Sequence, residues 1–134
     1  MKAQLVLIRG LPGSGKTTLA KRKYADYQLL EADMWHEVDG AYVFEQNQLA
    51  NAHKWCQLHT EKLLREGKFV VVANTFITKS EIIPYVEIAI RAGVSMKIDI
   101  AEGDYKSIHD VPAGIVDLMG MNWEQFDLFD LIGE

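Results

Sequence analysis

Four apolar runs punctuate the chain: Gln4–Arg9, Gln28–Ala32, Phe69–Ala73 and Val94–Ile100. Within them, Leu5–Ile8 and Val70–Ala73 are continuous rather than alternating, as expected of strands covered on both faces. The segments between are more polar and carry a helical period. Thr17–Tyr24 reads as a first helix. Gln46–Glu66 sets Leu49, Ala52, His53, Cys56, Leu63 and Leu64 roughly on one face, and Gly67 stands at the expected C-terminal cap. Ser80–Ala92 repeats the scheme, with Ile82, Val86, Ala89 and Ile90 as its stripe, Gly93 as terminator and Ser80 as N-cap. Strands alternating with helices predict parallel pairing and a three-layer α/β/α sandwich. After Asp104 the pattern weakens. Pro112–Gly120 reads as a short helix starting at its proline, and Trp123–Ile132 as another closing over the sheet. No repeat or linker divides the 134 residues, which read as one domain.

Composition adds limits. About half the residues are hydrophobic, enough for an ordinary core. The single cysteine, Cys56, excludes an internal disulfide framework and a multi-cysteine zinc site, and reads as a small core residue. The runs Leu5–Ile8 and Phe69–Ala73 are far too short to span a bilayer, so no membrane association is expected. The first strand-like run leads directly into a phosphate-binding motif that removal of a leader would destroy, so the expected location is cytoplasmic.

The net charge is -5 but unevenly spread. From Met1 to Tyr24 every charged residue is basic: Lys2, Arg9, Lys16, Lys21, Arg22 and Lys23. From Asp99 onward Lys106 alone opposes a series of acids running to Glu134. The basic end coincides with the phosphate motif. The acidic end argues against wrapping a long nucleic acid, which needs a basic track, and leaves a small anionic substrate or one polynucleotide end. In that acidic segment Trp123, Phe126 and Phe129 alternate with carboxylates, a surface that would suit a protein partner.

The most specific motif is G-x-x-x-x-G-K-T, formed by Gly10, Leu11, Pro12, Gly13, Ser14, Gly15, Lys16 and Thr17, with Thr18 following. Glycines let backbone N–H groups turn inward around a phosphate. The helix that follows offers its unpaired N–H groups and positive dipole end to the same anion. Lys16 then reaches the β- and γ-phosphates, and Thr17 places a hydroxyl on Mg²⁺. The strand before and the helix after are the context the motif requires. It indicates nucleotide binding without naming a reaction. The absence of an N-K-x-D base-reading motif favours ATP over GTP.

Other candidates follow strand ends, where open α/β sheets bind ligands. Asp33 follows the second run and can accept a proton from an attacking hydroxyl or hold a metal's water shell; a helix or turn cap is its structural alternative. Asn74 and Thr75 follow the third run, where P-loop enzymes commonly carry a magnesium-binding acid. An amide can orient water but brings no charge. His36, His53, His59 and His109 form no metal-ligand spacing; His109 lies in a loop, where function concentrates. Trp35, Tyr42 and Phe44 flank Gly40, and read as packing under a loop or stacking on a base.

Ile8–Ala20 resembles the loop of small P-loop kinases in the polynucleotide kinase and zeta-toxin group. Ala32-Asp33 looks like the group's substrate-side acid. Gly40–Phe44, Ala52–Cys56, Ala73-Asn74-Thr75 and His109–Pro112 look like those of small, often phage-borne ATP-binding proteins known as AAA-type ATPases. The resemblance covers most of the chain. It implies a sheet ordered 2-3-1-4 and Asp33 as general base or substrate ligand. Where the polynucleotide kinase carries an arginine three positions after that acid, this chain has His36. The group's arginine-bearing lid has only Lys79, Arg91 and Lys106 as nearby basic candidates; Thr75, His36, Lys106 and His109 are the substrate or lid candidates. The function expected is ATP- and Mg²⁺-dependent transfer of a phosphoryl group to a hydroxyl of a small molecule or nucleic-acid end. Its alternatives are a nucleotide-binding regulatory or inhibitory protein with little turnover, and a slow ATPase.

Overall fold

The computed structural model describes residues 3–11, 13–31, 37–38, 41–42, 49–101 and 123–124. Its order is β1 (Leu5–Arg9), α1 (Lys16–Lys23), β2 (Gln28–Leu30), β3 (Glu37–Val38), β4 (Ala41–Tyr42), α2 (Leu49–Arg65), β5 (Val70–Asn74), α3 (Lys79–Ala92) and β6 (Met96–Ile100). Strands β2, β5, β1 and β6 form a four-stranded sheet in that spatial order. All its pairings are parallel, with Leu5 opposite both Val70 and Met96, and Leu30 opposite Val72. Counting only the strands of this sheet, its order is the expected 2-3-1-4.

Burial explains which strands took the centre. Every residue of β1 and of β5 is buried, and these are the continuous apolar runs. Successive side chains point to opposite faces. Leu5, Leu7, Val70 and Val72 pack with Cys56, Leu63 and Leu64 of α2 and Ile82, Tyr85 and Ala89 of α3. On the other face Val6, Ile8, Val71 and Ala73 pack with Ala20 and Tyr24, at the inner side and tail of α1. The result is the three-layer α/β/α P-loop fold. Among the described residues, no helix is long and apolar enough to cross a membrane.

Both glycine caps behave as expected. Gly67 and Gly93 have φ of 83° and 69°. Beyond them, Lys68 N–H bonds Leu63 O and Val94 N–H bonds Ala89 O, closing the last turns. Other expectations need correction. α3 starts at Lys79, with Thr78 rather than Ser80 as N-cap. Ser80 instead pairs its hydroxyl with Thr78, because carboxylates serve the exposed amides: Glu81 accepts from Ile77 N and Glu124 from Lys79 N. Ile90 is not on the packed stripe but 71% exposed; the buried face runs through Ile82, Tyr85, Val86 and Ala89. The antiparallel pair β3–β4 has no counterpart among the expected elements, although Asp39-Gly40 between its strands is a favourable hairpin dipeptide. The two C-terminal helix expectations lie outside the described residues, except that Trp123 and Glu124 are described and neither is helical.

Glu61 joins α2 to α3. Its carboxylate accepts from Arg91 at 2.8 Å and from Arg65 at 2.8 Å. These partners, Arg91 first, hold its pKa down at about 2 against an ordinary 4.5. A depressed carboxylate contributes stability that is present above the unfolded value and is lost as pH falls through the folded one. Glu61→Gln should therefore lower stability at neutral pH and flatten its decline between pH 4.5 and about 2. Urea midpoints measured across that interval test this; parallel declines in parent and variant would assign the acid limb to other groups.

Candidate functional site

The phosphate motif occupies the turn between β1 and α1. Gly13 and Gly15 adopt left-handed φ of 82° and 89°, open to glycine without steric penalty. Ser14 N–H donates to Leu11 O at 3.0 Å and Gly10 N–H to Thr75 O at 3.2 Å. Gly15 is the N-cap of α1, and its first turn holds no acid, which leaves the positive end of the helix to an anion. The ammonium of Lys16 folds over the turn and donates to Gly10 O at 3.0 Å and Leu11 O at 3.1 Å. Thr18 is exposed in the first turn of α1. Pro12 lies outside the described residues, as do Asp33, His36, Lys106 and His109.

The chemistry of this turn fits a phosphate. The hydroxyl of Ser14 is buried with no partner among the described residues, a cost that a phosphate oxygen would relieve. A Cβ on Gly10 would stand 2.3 Å from Ser14 Oγ and 2.9 Å from Ala101 O. The serine can rotate away; the backbone carbonyl cannot. Gly10→Ala should lower the unfolding free energy by about 1–3 kcal/mol through overpacking, and adding Ser14→Ala should recover little of it. Full recovery in the double variant, read from urea unfolding, would shift the clash to the serine alone.

One residue at the site was not singled out from the sequence. Thr17 Oγ1 donates to Glu31 Oε1 at 3.0 Å. β2 ends at Leu30, so the next residue emerges at the carboxyl edge of the sheet, and the reasoning that selected Asp33 applied equally to Glu31. Its carboxylate supplies, one strand further out, the negative charge missing at the end of β5. There Ala73 is buried, and Asn74 turns its amide toward Cys56 Sγ at 3.8 Å. Burial pushes the Cys56 thiol upward, in keeping with a core residue. Thr75 contributes its carbonyl, as acceptor for Gly10 N.

Apart from Lys16, the described basic residues of the N-terminal stretch do not converge on the turn. Lys21, Arg22 and Lys23 occupy the last turn of α1, about 8–10 Å along the helix from Lys16 at 1.5 Å per residue. Lys23 binds Asp99 at 3.3 Å, and Tyr24 donates its hydroxyl to the same carboxylate. Burial and Asp99 push the Tyr24 phenol up to about 12. Arg9 is fully buried and turned away, donating from Nε to Phe76 O at 2.9 Å and from Nη2 to Ile77 O at 3.1 Å and Glu124 O at 2.9 Å. Burial lowers its pKa, although Glu81 and Glu124 oppose the shift. Trp123, offered above as part of a partner surface, lies against this guanidinium, whose Cζ is 3.8 Å from the ring centroid. Arg91 binds Glu61 at the far end of α3 from Lys79, so it is no lid residue for this turn. Among the described residues, no cluster of three or more His, Cys, Asp or Glu could hold a metal ion.

Residues 5–106, from β1 through all of β6, match a family described as AAA domain. The chain belongs to the AAA domain family. It is 36% identical over 90 residues to human NEDD4-binding protein 2, a match taking in 63% of this chain and 5% of that protein. This chain thus spans a small fraction of that curated relative. Among solved structures, a gluconokinase from Sinorhizobium meliloti superposes with TM-score 0.57 at 14% identity, over 90% of this chain and 74% of the other. The Mycobacterium tuberculosis APS kinase CysC, in complex with AMPPNP and APS, does so with TM-score 0.53 at 18% identity, over 87% and 68%. At such identities the likeness is one of fold, and that fold is the three-layer α/β/α sheet described above.

Proposed function

We propose that this protein is an ATP- and Mg²⁺-dependent phosphotransferase acting on a hydroxyl of a small molecule or of a nucleic-acid end. The observation that carries the reading is the pairing of Thr17 with Glu31 at 3.0 Å, beside an ammonium held over the turn. Mg²⁺ prefers oxygen ligands and is commonly held by one or two carboxylates together with phosphates. A threonine hydroxyl and a glutamate carboxylate are such a pair. The ion, when bound, supplies charge neutralisation at the β- and γ-phosphate oxygens.

The protein's own groups divide the remaining work. Lys16 exchanges its bonds to Gly10 O and Leu11 O for phosphate oxygens, and the loop amides and Ser14 hold the triphosphate in place. Asp33 takes the proton of the acceptor hydroxyl as its oxygen forms a bond to the γ-phosphorus. The bond from that phosphorus to the bridging oxygen breaks, and ADP leaves with the electron pair. Asn74, at the end of β5, or Thr75 just beyond it would orient the metal's water. The gluconokinase and the APS kinase, whose acceptors are small molecules, support this class of reaction by analogy of fold.

A regulatory nucleotide-binding protein, or a slow ATPase, is the second reading, favoured by the disposition of the arginines. Of those described, Arg9 is buried against carbonyls, Arg65 and Arg91 bind Glu61, and Arg22 lies in the last turn of α1. None stands over the loop, where an arginine can speed transfer by about 10³–10⁵.

Label transfer from γ-labelled ATP with Mg²⁺ separates the readings. Nucleosides, nucleotides, oligonucleotide 5′ ends, sugars and cell extract serve as acceptors, with Lys16→Ala as blank. A labelled product absent from the blank supports the phosphotransferase. Label released only as phosphate supports the ATPase, and ATP bound but unchanged the regulatory protein.

A further inference from the structure

The end of β1 is held from behind by a segment remote in sequence. Arg9 directly precedes Gly10, the first residue of the phosphate turn. Its guanidinium is fully buried, donates to Phe76 O, Ile77 O and Glu124 O, and lies against the Trp123 ring. Glu124 adds two more ties: its N–H donates to Ile77 O at 2.9 Å, and its carboxylate accepts from Lys79 N at 2.6 Å. Trp123 and Glu124 thereby close over the loop joining β5 to α3.

That loop is strained and touches the phosphate turn. Phe76 is buried with φ 46°, a left-handed conformation that a bulky residue adopts only when its surroundings impose it. The carbonyl of Phe76 is the one that receives Arg9 Nε. One residue earlier, Thr75 O receives Gly10 N–H. The guanidinium, the strained loop and the first amide of the phosphate turn thus form one hydrogen-bonded ring. The backbone oxygen of Arg9 is itself fixed by Ala101 N–H at 2.9 Å, so a displaced Arg9 displaces Gly10.

We infer that Trp123 and Glu124 form a clamp that acts through Arg9 and the loop 75–77 to position the phosphate turn, making Trp123, Glu124 and Arg9 positioning residues for nucleotide binding. The effect on affinity rests on the nucleotide-binding reading above; the effect on the turn does not. Trp123 serves the turn in this arrangement rather than a protein partner.

Hydrogen exchange on the intact chain, read with ATP affinity, tests the clamp. Trp123→Ala takes away the aromatic face against the buried guanidinium, and should accelerate exchange at the amides of Gly10, Ser14 and Ile77 by about 10-fold. The amides of Val70–Val72 at the sheet centre should be unaffected. ATP affinity should fall by a similar factor, and Trp123→Phe, which keeps an aromatic face, should restore most of both. Uniform acceleration at centre and turn, or none at the turn, would overturn the clamp. So would a loosened turn in a variant that binds ATP as the parent does. If the parent fails to bind ATP, the nucleotide reading fails, while the exchange pattern still decides whether the segment holds the turn.

Discussion

Lys16→Ala is expected to weaken Mg·ATP binding by roughly 10- to 100-fold with little change in stability. The ammonium donates to the carbonyls of Gly10 and Leu11, so it already lies over the turn that would cradle the phosphates. A hydrogen bond to a charged group contributes about 1.5–3 kcal/mol, and each 1.4 kcal/mol is about tenfold in affinity. Stability should hold because Lys16 is half-buried at the mouth of the turn and belongs to neither apolar cluster. Lys16→Arg should not rescue binding, since the planar fork of arginine is wider than an ammonium and cannot act as a compact point charge. Calorimetric titration with Mg·ATP, beside urea unfolding of each variant, reads both quantities. Affinity within about twofold of the parent would remove the ammonium from phosphate binding.

Glu31→Gln should reduce phosphoryl transfer by about 100-fold or more at fixed Mg²⁺, because a metal ion contributes several kcal/mol to the transition state. The substitution keeps the shape and the hydrogen bond to Thr17 Oγ1 but removes the charge. The Mg²⁺ concentration for half-maximal rate should rise. Binding of metal-free ATP should be unchanged or stronger, since an anion beside the triphosphate has gone. Asp33→Asn provides the contrast: a loss on the order of 10²–10⁴ in transfer, as for removal of a general base, with no shift in Mg²⁺ dependence. Titrating Mg²⁺ against rate in both variants distinguishes a metal ligand from a base. Unchanged Mg²⁺ dependence in Glu31→Gln would reduce the carboxylate to an anchor for Thr17.

The sheet was legible from the sequence because its central strands are buried on both faces, and such burial leaves unbroken apolar runs. The edge strands were placed less sharply. β2 is described only over Gln28–Leu30, and β6 begins at Met96 rather than Val94, since an edge strand buries less and its apolar limits mark its ends poorly. The phosphate turn was legible because its glycines, lysine and threonine are tied to one backbone shape. Glu31 was passed over because the second apolar run extends to Ala32, which sets Glu31 inside the expected strand and Asp33 beyond its end, whereas β2 ends at Leu30. The role of Arg9 could not be read at all. Its partners are main-chain carbonyls at positions 76, 77 and 124, and a carbonyl has no side-chain identity for a sequence to display. Counting it among the phosphate-side cations followed from its position in the chain, which says nothing of the direction its side chain takes.

The placement of β1 bears on how the protein is made. Its partners are β5 and β6; its last residue, Arg9, is held by Ala101 and Glu124, and the next, Gly10, by Thr75. Leu5–Ile8 therefore leave the ribosome well before either strand that flanks them, and wait as an apolar segment with its edges open. Such long-range pairing folds slowly and exposes strand edges meanwhile. The phosphate turn is synthesised well ahead of β5, β6 and Glu124, and its supports are complete only once these have been made, so capture of nucleotide by a nascent chain would report that synthesis has passed Glu124.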